Sequence, residues 1–251
     1  MQAIGLDPST DGTLFLGTCN MGVWKTTDCG SSWNRINTGT NGDVIDQGAQ
    51  TTMVVDPIDN KVIYTNSFYG QNGAFKSSDG GVNWQQFWPP ADPELSNVVE
   101  YNFVSFVVMD PWDHDHLLVA FHASCAAPHS AACIGETKDG GESWHFIDGD
   151  PSWKGGEGQA VYFLDNSQTL LFGSESNGLW RTTNGGEAWQ AIVGSQVSHG
   201  LGQLHRASNG TFYVGVADGI QRSADGSEWA LIPNSGHGIP TAGLTGDGTN
   251  L

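Results

Sequence analysis

The sequence predicts an all-β fold, a β-propeller of four-stranded antiparallel blades, and three observations carry that prediction. A turn segment recurs five times at blade-sized intervals, and strand-forming runs fill the spaces between copies in a constant order. The composition suits short strands joined by tight turns: glycine supplies 35 of 251 residues, about twice its usual ~7% share. Charged residues make up only 14%, against roughly 25% in an ordinary soluble domain. With 10 Trp and 11 Phe there is ample apolar mass for a core, which excludes a disordered chain.

The recurring segment is Thr26–Trp33, Ser77–Trp84, Thr137–Trp144, Thr182–Trp189 and Ser223–Trp229, the last one residue short. Its acid or amide falls at Asp28, Asp79, Asp139, Asn184 and Asp225, in steps of 51, 60, 45 and 41 residues. The carboxylate or amide accepts backbone N–H bonds inside the turn, and the following glycine supplies the positive φ the turn demands. The closing Trp33, Trp84, Trp144, Trp189 and Trp229 each open the next strand and lay a large apolar ring over the hairpin. These ten residues are therefore assigned to structure.

The other elements follow in order. A first strand ends at Asp7, Asp56, Asp110 or Asp165, and a second follows, as in Leu14–Gly17 and Val62–Thr65. A third leads into the recurring turn, as in Val23–Thr26, and a fourth starts at the Trp. No segment reads as helical. This gives one domain over 1–251 with blades near 1–37, 49–88, 102–148, 158–193 and 200–233, and a partial blade at 239–251. Six or seven blades of about 45 residues would need ~270–315 residues. The expectation is an incomplete ring whose partners include the rest of a longer chain.

The repeated turn resembles the Asp-box, or BNR, repeat of sialidases, xyloglucan hydrolases, sortilin-type receptors and a photosystem assembly factor. Sialidase activity is disfavoured, because that chemistry uses three arginines around a carboxylate and only Arg35 and Arg206 lie outside the repeat pattern. The resemblance to xyloglucan hydrolases implies a carboxylate in a Thr-Asp-x-Gly-Gly stretch, facing a second acid across a cleft between two propellers. The matching stretch here, Thr18-Cys19-Asn20-Met21-Gly22, has no carboxylate. Asp218 sits in the analogous turn of a later blade.

With 27 acidic and 9 basic residues the net charge is −18, which disfavours nucleic acid and anionic membrane surfaces as partners. No apolar run reaches 18 residues, so no membrane insertion is expected. The N-terminal residues lack the basic start and apolar stretch of a signal peptide. Cys19, Cys29, Cys125 and Cys133 match no zinc pattern; Cys125 and Cys133 form either a local disulfide or two thiols. No cofactor fingerprint and no metal site is expected.

Function should lie on the loop face opposite the Asp-boxes. Aromatic platforms beside acids suit carbohydrate, so Tyr69, Trp88, Trp153 and Glu175 are candidate substrate-binding residues. Asp46, Asp148, Asp150, Glu157 and Asp218 are candidate catalytic acids, with no pair singled out. His122, His129, His199 and His237 map to the same face, whereas His114 and His116 read as a polar turn on the other. The function expected is a secreted, extracellular or periplasmic carbohydrate-active propeller, either glycoside-hydrolase-like or glycan-binding, with a polysaccharide or glycan as partner. The alternative is a non-enzymatic protein-interaction scaffold.

Overall fold

The structure, a computed structural model, describes residues 3–99, 102–155, 160–192, 197 and 204–236. Five four-stranded antiparallel sheets follow one another along the chain, each in simple sequential order. Blade 1 holds β1 (Ala3–Leu6), β2 (Leu14–Gly17), β3 (Val23–Thr26) and β4 (Asn34–Arg35). Blade 2 holds β5 (Met53–Val55), β6 (Ile63–Asn66), β7 (Ala74–Ser77) and β8 (Gln85–Trp88). Blade 3 holds β9 (Val104–Asp110), β10 (Asp113–Phe121), β11 (Cys133–Thr137) and β12 (His145–Asp148). Blade 4 holds β13 (Ala160–Phe163), β14 (Leu170–Ser174), β15 (Gly178–Thr182) and β16 (Gln190–Ala191). Blade 5 holds β17 (His205–Arg206), β18 (Phe212–Val216), β19 (Gly219–Ser223) and β20 (Ala230–Leu231). The expected partial blade at 239–251 lies outside the described residues.

Two one-turn helices interrupt the all-strand expectation, α1 (Gly42–Ile45) and α2 (Pro93–Ser96). Both lie in connections between blades, where short polar stretches carry no strand periodicity. No helix among the described residues is long and apolar enough to cross a membrane.

The Asp-box turns of blades 1 to 4 share one hydrogen-bond scheme, whereas the shorter turn of blade 5 closes with Asp225 accepting from the N–H and hydroxyl of Ser227. In blade 2 the Ser77 hydroxyl donates to Asp79 Oδ1 (2.9 Å), which also accepts the Asn83 N–H (3.0 Å), while Oδ2 accepts Asn83 Nδ2 (2.7 Å). The Ser77 hydroxyl in turn accepts the Gly81 N–H (2.9 Å). Blades 1 and 3 repeat this with Thr26, Asp28 and Ser32, and with Thr137, Asp139 and Ser143. Hydrogen bonds, first of all from the Ser32 and Ser143 hydroxyls, pull Asp28 and Asp139 down to about 2. Asn184 makes the same contacts to Thr182 and Ala188, so the turn needs an oxygen acceptor rather than a charge. The ring N–H groups of Trp33, Trp84, Trp144 and Trp229 all donate to a glycine carbonyl three residues back. Trp189 breaks the pattern and donates to the Asp148 carbonyl (3.2 Å). Asp79→Ala should therefore cost about 1–2 kcal/mol by orphaning turn N–H groups. Denaturant unfolding checks this, and an unchanged midpoint would contradict the structural assignment.

The turn between the first two strands does a second job. Asp7 Oδ1 accepts the Ser9 N–H (2.9 Å) in its own turn, and Oδ2 accepts Asn60 Nδ2 (2.9 Å) from blade 2. Asp56 Oδ1 likewise accepts the Ile58 N–H (2.7 Å), and Oδ2 meets His114 Nδ1 (2.8 Å) of blade 3. In blade 4 the matching backbone position is Leu164, not Asp165 as the sequence suggested, since the Leu164 N–H takes the turn bond to Thr169 O (2.9 Å). Asp165 is exposed, and Asn166 Oδ1 accepts the Gln168 N–H instead.

The chain divides into two compact units, one running to Phe121 and adding Ile134–Phe146, the other holding His122–Cys133 and continuing from Ile147. In the first unit Ala3, Phe15 and Val23 of blade 1 form one buried cluster with Met53, Ile63 and Phe75 of blade 2. Gly5 and Gly17 allow this approach: a Cβ on either would lie 2.8 Å or less from Met53 or Gln50.

Candidate functional site

On the face opposite the Asp-boxes, three segments of the first unit are stitched into one surface. They are the β2–β3 turn, the segment after α1, and the β6–β7 loop. Ala49 and Phe68 exchange both backbone bonds (2.7 and 2.8 Å), the Asn20 N–H reaches Gly48 O (3.1 Å), and the Gln50 N–H reaches Thr18 O (2.9 Å). Gln50, fully buried, fixes the corner from below by accepting the Thr18 N–H and donating to the Ile45 and Gly48 carbonyls.

Tyr69 stands on this surface with 61% of its area exposed. Its backbone sits at φ +59°, an uncommon conformation for a bulky residue. Phe68 and Phe103 buttress the ring at centroid distances of 4.4 and 5.2 Å. Met21, also 61% exposed, projects from the β2–β3 turn.

Asp46 lies at the C-terminal end of α1. Its Oδ1 accepts Asn37 Nδ2 (2.8 Å), and its Oδ2 forms an ion pair with Arg35. Asn37 is buried, and its amide oxygen also accepts the Val23 N–H (2.9 Å), so the acid is tied to the edge of blade 1. Gly22 must lack a side chain, because a Cβ there would sit 2.4 Å from both Asn37 Oδ1 and Asp46 Oδ1.

The remaining candidates are scattered. Asp148 Oδ1 accepts the Ser130 N–H (2.8 Å) and meets His129 Nδ1 (3.2 Å), which anchors the 122–133 loop that the Cys125–Cys133 disulfide closes. Asp150 caps its own turn through the N–H and hydroxyl of Ser152, and these bonds lower its pKa. Asp218 occupies the two-residue β18–β19 turn, and Glu175 is exposed in the β14–β15 turn. Glu157, His199 and His237 lie outside the described residues. Cys19 and Cys29 are free and exposed.

Two of the aromatic candidates are core residues. Trp88 is fully buried against Phe121 and Trp144, both at 5.0 Å, because β8 carries it inward onto blade 3 rather than out along the loop. Trp153 is 5% exposed and stacks on Phe172 at 4.2 Å and 11°. The loop after β12 folds back there, and Gly149 makes room for the indole: a Cβ on it would lie 2.0 Å from the ring. Neither is available to a sugar.

His116 also departs from the polar-turn reading. The β9–β10 hairpin is longer than expected and takes it inside, 3% exposed. Its Nδ1 meets Asp110 Oδ2 (2.8 Å) and its Nε2 meets Glu136 Oε1 (2.6 Å). Glu136 is further paired with His145 and with Lys138 (3.4 Å). The signal was present in the repeat: the residue three before the Asp-box acid or amide is Lys25, Lys76, Arg181 or Arg222 in the other blades and Glu136 only here. Among the described residues, no group of three His, Cys, Asp or Glu side chains has metal-holding geometry.

No protein-family model matches the chain. A curated xyloglucanase from a Paenibacillus species is 27% identical over 258 aligned positions, covering 87% of this chain and 24% of that protein. The crystal structure of a GH74 xyloglucanase from Xanthomonas campestris superposes with a TM-score of 0.64 at 18% identity, covering 93% of this chain and 38% of that one. The chain adopts the Asp-box β-propeller fold. The fold is shared with YCF48 bound to D1 peptide, at a TM-score of 0.59 and 16% identity over 92% of this propeller and 66% of that chain. The propeller thus spans about a quarter of its curated relative and under two-fifths of the Xanthomonas enzyme. Identities this low establish the fold and leave the chemistry to the site.

Proposed function

We propose that this propeller is an extracellular glycan-binding module that takes a polysaccharide across the loops of blades 1 and 2. The observation that carries the reading is Tyr69, an exposed ring buttressed by Phe68 and Phe103 on the same stitched loop surface that carries the amide residues Asn20 and Gln71. A fixed aromatic face with polar groups at its margin is the arrangement that stacks on a sugar ring and reads its hydroxyls. The similarity to a xyloglucanase supports a β-glucan chain as the first ligand to try. The Cys125–Cys133 disulfide supports an oxidising compartment.

Binding is favoured over hydrolysis by the state of Asp46, Asp148 and Asp150 among the described acids. Hydrolysis needs two carboxyls roughly 5–10 Å apart and free to meet the substrate. Here both oxygens of Asp46 are taken by Arg35 and Asn37, and Asp148 and Asp150 hold loops. Calorimetric titration with xyloglucan oligosaccharides, followed by a wider glycan panel, tests the reading. Tyr69→Ala should weaken binding by about 1–3 kcal/mol while leaving the unfolding midpoint in place. Unchanged affinity would remove Tyr69 from the site. Absence of any glycan ligand would favour the interaction-scaffold alternative, and release of reducing ends would restore the hydrolase reading.

A further inference from the structure

The fifth Asp-box turn is one residue shorter than the others, and the loss changes what the neighbouring blade can bind. In blade 3 the Trp144 ring N–H takes the Gly141 carbonyl (3.1 Å), two residues past the Asp-box acid. That leaves the Gly140 carbonyl to accept from Lys76 Nζ of blade 2 (3.0 Å). In blade 5 the shorter turn draws the Trp229 ring back by one residue, and its N–H takes the Gly226 carbonyl (3.0 Å), the counterpart of Gly140. Arg181 holds in blade 4 the place that Lys76 holds in blade 2. Among the described residues nothing accepts a hydrogen bond from its side chain, and its Nε is buried. A buried N–H without a partner is rare in folded proteins and calls for an acceptor from elsewhere.

Arg181 lines a cavity of about 190 Å³ within the second unit, together with Gln190 and Ile192 from blade 4 and Ser227, Glu228 and Trp229 from blade 5. The cavity lies in the joint between two described blades, not on an outer face. Roughly six waters would fill it at ~30 Å³ each, so it takes one ring and not a chain of them. The groove between blades 2 and 3 is roomier, about 370 Å³, but its cation Lys76 is already bound to Gly140. Only the smaller cavity combines space with an unanswered donor among the described residues.

The lining selects the ligand. Arg181 offers donors, Glu228 a carboxylate acceptor, and the Gln190 amide one of each kind. The Arg181 charge also reaches Asp225, whose carboxyl is held low first by the Ser227 hydroxyl and N–H. Two acids near one guanidinium repel an anion, and the guanidinium itself turns away a cation. Ile192 and Trp229 add an apolar wall. A neutral ring with hydroxyls at its edge and C–H groups on its face meets all of these groups at once. We propose that the joint between blades 4 and 5 binds a single sugar residue, one of whose oxygens accepts from Arg181 Nε. This is a second site, beside the Asp-box turn of blade 5 and not among the loops around Tyr69. It rests on the glycan reading above for its class of ligand only.

The test uses the full chain labelled with nitrogen-15. Arginine occurs only at 35, 181, 206 and 222, so the Arg181 Nε–H resonance is assigned by its absence in Arg181→Lys. Titration with the methyl glycosides of glucose, galactose and xylose should shift that resonance for at least one sugar, with the same midpoint in the wild type and in Tyr69→Ala. Gln190→Ala and Glu228→Ala, both at exposed positions, should weaken the response about fivefold or more while the unfolding midpoint holds. Acetate, the anionic control, should leave the resonance in place. A resonance that no glycoside moves, or one that acetate alone moves, would overturn the site, even where calorimetry finds glycan binding that Tyr69→Ala removes. A response lost in Tyr69→Ala would overturn it too and assign the sugar to the loop face. A response that survives while calorimetry finds no binding dependent on Tyr69 would sustain this site and end the loop-face reading.

Discussion

Trp153→Ala is expected to destabilise the second unit by about 3–5 kcal/mol, the usual cost of emptying a large buried aromatic site. The indole is stacked on Phe172 and flanked by Trp180 at 5.5 Å and Trp189 at 5.1 Å, so its loss leaves three rings facing a void. Local collapse is restricted because Phe172 and Trp180 belong to paired strands, β14 and β15. Denaturant unfolding followed by tryptophan fluorescence measures the effect. A midpoint shift no larger than that of Tyr69→Ala would return Trp153 to the surface and to the list of sugar platforms.

Removing His116 should be equally severe. In His116→Ala, Asp110 and Glu136 remain buried without the group that both face, a situation worth about 3–5 kcal/mol of destabilisation. The wild-type protein should also show a pH signature. Burial on its own would lower the His116 pKa, but hydrogen bonds to Glu136 and Asp110 outweigh it and the net shift is upward. Glu136 moves the other way: burial would raise it, but the His116 bond and the charges of His145 and Lys138 bring it below its ordinary value. A raised histidine contributes stability that is full below about 6.5 and is lost as pH climbs through the folded pKa. A lowered glutamate contributes above its ordinary value and loses its contribution as pH falls through the folded one. Stability should therefore decline on the alkaline side, and His116→Ala should show a smaller decline, the remainder coming from His114, whose pKa is also raised. Equal alkaline slopes in the two proteins would show that the imidazole is not the titrating group.

The architecture was legible because the Asp-box is local. Its acceptor, glycine and Trp lie within eight residues, and the turn closes on its own hydrogen bonds whatever surrounds it. The site was legible only in part. Tyr69 is exposed, whereas Trp88 and Trp153, equally spare by the repeat, turn inward. An aromatic beside a long loop reads the same whether the loop projects or folds back. The deciding contacts, to Phe121 and to Phe172, come from residues 33 and 19 positions away. The Arg35–Asp46 pair was missed for a similar reason, since α1 brings together residues that no strand pattern relates. His116 was different: Glu136 at a cation position was visible as an anomaly, and a reversed charge inside a repeat calls for a nearby positive partner.

The turn carboxylates at Asp7 and Asp56 have a consequence for how disturbance spreads along the array. Each binds its own hairpin with one oxygen and its neighbour with the other, so closing one hairpin readies the acceptor for the next. Units linked in this way behave as a chain with nearest-neighbour coupling, and the weakest link sets how far an opening fluctuation travels. The two links are chemically unlike. Asn60 is an amide and indifferent to proton concentration, whereas His114 is an imidazole whose pKa is raised, first by its bond to Asp56. As the medium becomes alkaline the link between blades 2 and 3 loosens while that between blades 1 and 2 keeps its strength. The array is thereby given a preferred breaking point, chosen by one residue at an otherwise equivalent place.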